Sequence, residues 1–469
     1  MTLCVLGGGV AGLSAAYYAL SNPGVRRVVV LESSSRLGGW IQTIRNSDGV
    51  LYEKGPRTIR PAGAQGANTL ALVQDLGLAD CIRPVTYTHP SATNRLVLVG
   101  GQLHKLPNSL MSLFKNLPPF SRPLALALFK DLLSPRVRCE DTSLHEFVSR
   151  RLGSDIADYA IDPMVRGICA GDSKQVSVHF IANYLHQMEQ EWGRISFGVA
   201  KDYMKGFVHK PEKSPLENLD IVKKARSEKW AVWGLENGLE SLVEALETSL
   251  VTNGVEIITE ASVENITVIN NQAVVSYNGA NVICDKLVMA LPSYKAAPLL
   301  HGTSGELSSL LARIPFVDVA LANIEFKGKV LDQEGFGFLV PSSQPQQLLG
   351  CIFDSCTFPQ GPRTVLTCMI GGAWYDQMVG SKTASQVEQD AVKEISSILN
   401  ITESPVRCDT SLLPQCIAQY TVGHRARLAK ARGIIAQSKL PLAIVGSSYD
   451  GPGINDTIMS AKTAVLERI

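Results

Sequence analysis

Three observations predict an α/β fold whose core is a parallel sheet covered by helices. The chain opens with a strand, a glycine-rich turn, a helix and a second strand within residues 2–32. Apolar strands of the same buried type return at 254–258 and 287–291, and a last strand near 440–446 runs into a second glycine-rich turn and a closing helix. A sheet buried on both faces needs continuous apolar strands rather than alternating ones.

Taken in order, Thr2 to Leu6 is a short apolar strand that passes directly into Gly7-Gly8-Gly9-Val10-Ala11-Gly12. Helical spacing follows through Leu13, Ala16, Tyr17 and Leu20, and Arg27 to Leu31 is a second strand ending at Glu32. This is a βαβ unit with G-x-G-x-x-G at its turn. Gly7 permits the tight turn, Gly9 lets the backbone approach a pyrophosphate, and Gly12 brings helix against strand. The helix N-terminus offers free N–H groups and a positive dipole end to phosphates. Glu32, twenty residues beyond Gly12, is placed to accept ribose hydroxyls, which favours FAD or NAD over a 2′-phosphorylated nucleotide. Arg36-Leu37-Gly38-Gly39-Trp40 adds a basic residue and a Gly-Gly turn that an NAD site does not need.

At 469 residues the chain has room for two or three domains. Its 44 basic and 43 acidic residues leave no overall field, which argues against a nucleic-acid binder. Ten cysteines lie from Cys4 to Cys416 without a C-x-x-C pair, so neither a metal site nor a disulfide framework is expected, and buried free thiols in a reducing compartment are. The first strand begins at residue 2, so a cleavable signal or presequence is not expected, nor is secretion. An organelle address is expected to be internal.

Gly55-Pro56-Arg57-Thr58 follows a short strand at 50–53, and such a turn places a cation on a phosphate or on flavin atoms as readily as in solvent. Helical spacing from Leu70 to Leu78 stops near Gly77, and Asn94-Arg95 begins a hairpin strand that ends at Gly100-Gly101. Residues 106–133 are rich in leucine and phenylalanine, broken by Pro107, Pro118, Pro119 and Pro123 and dotted with lysine and arginine. They predict short amphipathic helices, which pack on a core or lie in a membrane interface. Pattern alone slightly favours the core. The helical reading continues to about Tyr203, with Leu144, Phe147, Val148 and Leu152 on one face and a break at the two glycines of 163–172. Residues 201–213 are a basic linker.

α/β character then resumes. A helix opens after Trp233-Gly234 and Gly238-Leu239, and a hairpin pairs 263–268 with 272–277 around Asn270-Asn271. Val263 is placed to meet an adenine edge with its backbone. Residues 293–405 predict a mixed sheet with strands near 317–325, 335–340, 347–353 and 364–371. After the last strand come Gly446, Gly451-Pro452-Gly453 and the helix beginning near Ile454, a second strand-to-helix turn that aims N–H groups at an acceptor.

The first forty residues and the C-terminal turn resemble FAD enzymes of the amine oxidase and phytoene desaturase superfamily. Gly55 to Ala64, Asn94-Arg95 with Val99-Gly100-Gly101, Gly335 to Ser343, and Gln419 to His424 resemble the animal mitochondrial protoporphyrinogen oxidases, and the likeness runs over nearly the whole chain. It implies a Rossmann-like FAD-binding domain (1–86, 232–292, 406–469), a mixed α+β substrate domain (87–103, 205–231, 293–405) and a helical membrane-binding insertion (104–204). It implies oxidation of protoporphyrinogen IX to protoporphyrin IX in haem biosynthesis, with O2 as acceptor and H2O2 as by-product. FAD would be bound non-covalently by Gly7, Gly8, Gly9, Val10, Ala11, Gly12, Glu32, Ser33, Arg36, Gly39, Trp40, Gly55, Pro56, Arg57, Thr58, Val263, Gly446, Gly451, Pro452, Gly453 and Ile454. Arg95 would pair with a substrate propionate, Phe336 and Leu339 would sandwich a pyrrole, and Gly167 and Met369 would line the cavity. No residue stands out as a catalytic base.

The resemblance also implies a homodimer attached to the intermembrane-space side of the mitochondrial inner membrane, passing its product to the ferrochelatase. It thus reverses the preference for a core role at 106–133. Two positions depart from the pattern: Asn237 stands where the superfamily often has glycine, and Phe338 introduces a ring beside the expected wall. An amine or polyamine oxidase is the enzymatic alternative, although Ser447-Ser448-Tyr449 replaces the cysteine that tethers FAD in monoamine oxidases. A flavin-free binding protein is the other.

Overall fold

The computed structural model describes residues 1–208 and 215–467, so the end of the basic linker expected at 201–213 lies outside the described residues, and its start is the last part of helix Ile195–Val208. The chain forms two compact units, one from residues 1–86, 214–315 and 426–469 and one from 87–213 and 316–425.

The first unit is built on a five-stranded sheet in the order Leu442–Ile444, Lys286–Met289, Thr2–Leu6, Arg27–Leu31, Glu256–Ile258. Every pairing is parallel, with Val5 opposite both Val30 and Val288. Leu3, Cys4, Val5 and Leu6 are fully buried, which is why this strand reads as a continuous apolar run. Helices Val10–Leu20, Glu240–Thr252 and Ile454–Glu467 bury leucine, valine and alanine in the same core. The hairpin at 263–277 has Asn270 and Asn271 at positive φ, as expected of that turn. Two elements differ from the sequence reading. Trp230–Leu235 is a strand, antiparallel to Ile82–Thr86, rather than the approach to a helix. Residues 215–231 belong to this unit rather than to the substrate part, because Ile221, Val222 and Ala225 of helix Asp220–Ser227 are buried in its core.

The second unit carries a seven-stranded sheet in the order Arg407–Ala418, Phe316–Lys327, Arg363–Gly371, Gly350–Phe353, Gly337–Leu339, Arg95–Val99, Gln102–Lys105. All neighbours are antiparallel except Gly337–Leu339 with Arg95–Val99. Residues 406–425 fall here rather than with the nucleotide sheet because their strand pairs with Phe316–Lys327. Helix Ala384–Leu399, opened by a Thr383–Gln386 capping box, buries Val387, Ala391 and Ile395 against the sheet.

The helical part of this unit holds a buried ion network. Arg151, fully buried, donates to Glu189 at 2.6 Å and to Asp131 at 3.2 Å, and Arg150 reaches Glu189 at 2.6 Å. Helix Leu126–Leu133 sends Asp131 inward to this network while Leu128, Phe129, Leu132 and Leu133 stay exposed, Leu133 at 86%. The break expected at 163–172 falls at its end: helix Asp162–Cys169 runs through Gly167 and stops at Ala170, in the left-handed region just before Gly171. Burial pushes the Glu189 carboxyl up, but the bonds from Arg150, the Val137 N–H and Arg151 outweigh it and hold the group below the usual carboxylate range.

Arg151→Met leaves buried Asp131 without its cation and Glu189 with Arg150 alone, and is expected to cost about 3–5 kcal/mol in urea unfolding. Because the Glu189 carboxyl titrates lower in the folded chain, its contribution is complete above the unfolded value near about 4.3 and is lost as pH falls through the folded one. Glu189→Gln should therefore flatten the acid limb of the wild-type stability profile.

Candidate active site

The nucleotide turn is built from close approaches that exclude side chains. Gly7 has φ +102°, and a Cβ there would lie 2.7 Å from the Ala290 carbonyl oxygen. A Cβ at Gly12 would lie 1.8 Å from the Gly7 carbonyl, so only glycine lets the helix sit this near the strand. The nearest atom to a Cβ at Gly9 is Gly39 Cα, at 3.8 Å, which leaves that face of the turn uncrowded. Helix Val10–Leu20 starts at Gly9 with neither a side-chain cap nor an acidic residue in its first turn. Its leading N–H groups form a ready anion cradle.

Glu32 closes the other side. One carboxylate oxygen accepts the Gly8 N–H at 2.6 Å, and the other accepts the N–H and hydroxyl of Ser34 at 2.7 and 2.8 Å. The Ser33 hydroxyl lies 3.4 Å from the second oxygen. The carboxylate is thereby fixed at the strand tip with lone pairs to spare for vicinal hydroxyls. Ala261 donates its N–H to the Glu32 carbonyl at 2.8 Å, which brings the start of strand Val263–Ile269 alongside. The residues present fit a dinucleotide of the FAD kind.

Several expected contacts take a different form. Arg36 donates to the carbonyls of Leu37, Gly39 and Ile41, so it shapes its own turn. Gly38, which the reading passed over although it stands in the same motif, has φ +100° and bridges to Gly9. Trp40 is exposed, and a Cβ at Gly55 would lie 2.0 Å from its carbonyl. Arg57 is 8% exposed, which excludes the solvated alternative, and it donates to Gly55 at 3.4 Å between half-buried Pro56 and Thr58. At the C-terminal turn Gly446 has φ +107° and donates its N–H to the Ser460 hydroxyl oxygen at 3.1 Å. Gly451 has φ +140°, and Pro452, Gly453 and Ile454 lead into the last helix.

In the second unit, Leu339 gathers the wall residues. A Cβ at Gly167 would lie 2.5 Å from Leu339 Cδ2, and one at Gly350 would lie 2.9 Å from the same atom. Gly350 is paired with half-buried Met369. Gly337 stands opposite Arg95, which is exposed and bonded through its guanidinium to none of the described residues. The Phe336 N–H reaches the Asn94 carbonyl at 3.2 Å. Phe338 is 1% exposed and edge-on to Phe353, so it belongs to the core and does not alter the wall. The sequence reading missed Gly350; Gly-Cys at a strand start carries no signal of its own.

A nucleotide cradle and a separate apolar wall on a mixed sheet define a two-part flavoprotein oxidoreductase. The chain belongs to the flavin containing amine oxidoreductase family, whose model matches residues 10–466. Within it the chain belongs with the protoporphyrinogen oxidases. It is 37% identical to that of Bos taurus over 471 residues, covering 99% of this chain and 97% of that protein. It is 37% identical to the Homo sapiens enzyme over 473 residues, covering 99% and 98%. A crystal structure named as a protoporphyrinogen oxidase, from Exiguobacterium sp. 255-15, shares the fold with a TM-score of 0.80 and 24% identity, over 99% of this chain and 97% of that one. The cofactor is FAD.

Gly12→Ala is expected to yield colourless protein that takes up no FAD, read as loss of the flavin absorption band after dialysis against excess FAD. Gly302→Ala, whose Cβ meets nothing within 4 Å, should remain yellow.

Proposed function

We propose that this chain oxidises protoporphyrinogen IX to protoporphyrin IX, with O2 as acceptor and H2O2 as by-product. The observation that carries this reading is 37% identity to protoporphyrinogen oxidases across 99% of the chain, which also weighs against the amine oxidase alternative. Bound FAD supplies the hydride acceptor. The chain's own groups bind and orient. Phe336, Leu339 and Met369 offer an apolar wall to a flat tetrapyrrole, Gly167 keeps the helix backbone close to Leu339, and exposed Arg95 takes a propionate as a charge-assisted pair. On the cofactor side, the N–H groups after Gly9 hold the diphosphate and Glu32 holds the ribose.

The same reading seats residues 106–133 in a membrane interface, on the mitochondrial inner membrane facing the intermembrane space, in a homodimer that hands product to the ferrochelatase. The seat is supported by exposed Met111, Phe114, Phe129 and Leu133. Charge supports it too: between residues 101 and 138 the cations are Lys105, Lys115, Arg122, Lys130, Arg136 and Arg138, and the one acidic residue, Asp131, is buried. No helix among the described residues is long and apolar enough to cross a membrane.

Aerobic turnover of protoporphyrinogen IX, followed by porphyrin fluorescence, tests the reading. FAD-loaded protein that yields no porphyrin but is reduced by amines would overturn it. Arg95→Ala should raise KM roughly tenfold with kcat nearly unchanged, the scale of one hydrogen bond to a charged group. In Gly167→Ala the clash falls on the flexible end of Leu339, so folding should survive while KM rises. Phe129→Glu with Leu133→Glu should abolish co-flotation with vesicles and leave turnover in detergent intact.

A further inference from the structure

Two arginines of the second unit are buried to the same degree and treated in opposite ways. Arg151 is met by two carboxylates. Arg166, 2% exposed, makes no ion pair among the described residues, and its Nε has no hydrogen-bond partner. Its side chain's one hydrogen bond among the described residues is a long one, from Nη2 to the Leu348 carbonyl at 3.3 Å, and its guanidinium lies 4.2 Å above the Trp374 ring. The carboxylates nearest in effect are engaged elsewhere: Asp162 by the Ser173 hydroxyl and the Ser342 N–H, and Asp172 by the Lys174 N–H and the Gln175 amide. Burial pushes Arg166 down to about 10, against the pull of Asp162 and Asp172, so it stays charged at neutral pH. A buried charge paired only with an indole face is a stability cost that stacking offsets in part.

Its place explains what the cost serves. Arg166 directly precedes Gly167, which packs on Leu339. The carbonyl it bonds belongs to Leu348, next to Leu349, whose N–H donates to the Met369 carbonyl at 2.8 Å. The arginine is therefore tied to the segments that carry three of the proposed wall residues, Gly167, Leu339 and Met369. We propose that Arg166 is a specificity-determining residue that acts through space: its guanidinium, which no carboxylate touches, adds positive potential beside the apolar wall and so favours a tetrapyrrole bearing carboxylates. The inference rests on the porphyrinogen reading. In a poorly screened interior a unit charge several ångströms from an anion shifts affinity by about tenfold.

The test compares protoporphyrinogen IX with its dimethyl ester on FAD-loaded wild type, Arg166→Met and Arg166→Lys. Arg166→Met should be as stable as wild type or more so in urea, keep its FAD, and show a diacid KM raised about tenfold with ester KM and both kcat values near wild type. Arg166→Lys should restore the diacid KM. Equal KM increases for acid and ester, or a kcat fall with lost stability, would show a purely structural clamp and overturn the proposal. If Arg166→Met does not fold, Arg166→Lys decides alone: a diacid KM near wild type supports the proposal, and increases for both substrates sink it. Should wild type turn over no porphyrinogen, the functional reading fails. Equilibrium binding of protoporphyrin IX and its diester, by tryptophan quenching, then decides Arg166 by the same acid-to-ester contrast.

Discussion

The first unit depends on the contact between Gly12 and the Gly7 carbonyl. With no Cβ at Gly12, helix Val10–Leu20 can lie close enough to strand Thr2–Leu6 for its N-terminus to point past the turn, and Gly9 can face outward without a side chain. The strands added on one side, Lys286–Met289 and Leu442–Ile444, arrive hundreds of residues later and take their register from that first strand directly or through a neighbour. Ala290, just past the first of these, presses its carbonyl against Gly7. The turn that binds the nucleotide is therefore also the point at which distant segments are locked in register.

What could be read from the sequence follows the range of the forces. The βαβ unit was legible because its signals are local: buried apolar strands, glycines at fixed offsets and an acidic strand tip. The pairing of Trp230–Leu235 with Ile82–Thr86 was not. Pro84 lowers the strand signal of one partner, and the other, with its aromatics and Gly234, reads as a lead into the helix behind it. The pairing joins segments about 150 residues apart, a distance at which spacing carries little information. Gly167 misled for the same reason. A helix interior tolerates glycine when a neighbour needs the room, and the neighbour is Leu339, far off in sequence.

The candidate site was legible as residue types and not as roles. Arg36 was expected among the FAD-binding residues, and its bonds to three carbonyls of its own turn show a role in shaping that turn which its residue type did not announce. Phe338 looked like part of the wall because it directly precedes Leu339, yet strand alternation points it to the opposite face, where it meets Phe353 in the core. Only coordinates separate Arg151 from Arg166. In the sequence both are basic residues in helical stretches, and nothing local says which one has carboxylates waiting.

Asp131 links the interior of the helical part to its surface. Helix Leu126–Leu133 has little reason of its own to stay folded onto the unit, since most of its leucines and its phenylalanine face outward. Lys130 donates to the Ser149 carbonyl at 2.7 Å, and the buried anchor is the Asp131 carboxylate, which accepts from Arg151 and from the N–H and hydroxyl of Ser196 at 2.9 and 2.8 Å. Drawing that carboxylate inward satisfies half of the Arg151 charge and removes the only negative group from the outer face. The buried ion pair thus helps hold the helix down and leaves a surface of apolar side chains and cations. The stability of the interior and the character of the exposed face cannot be altered independently.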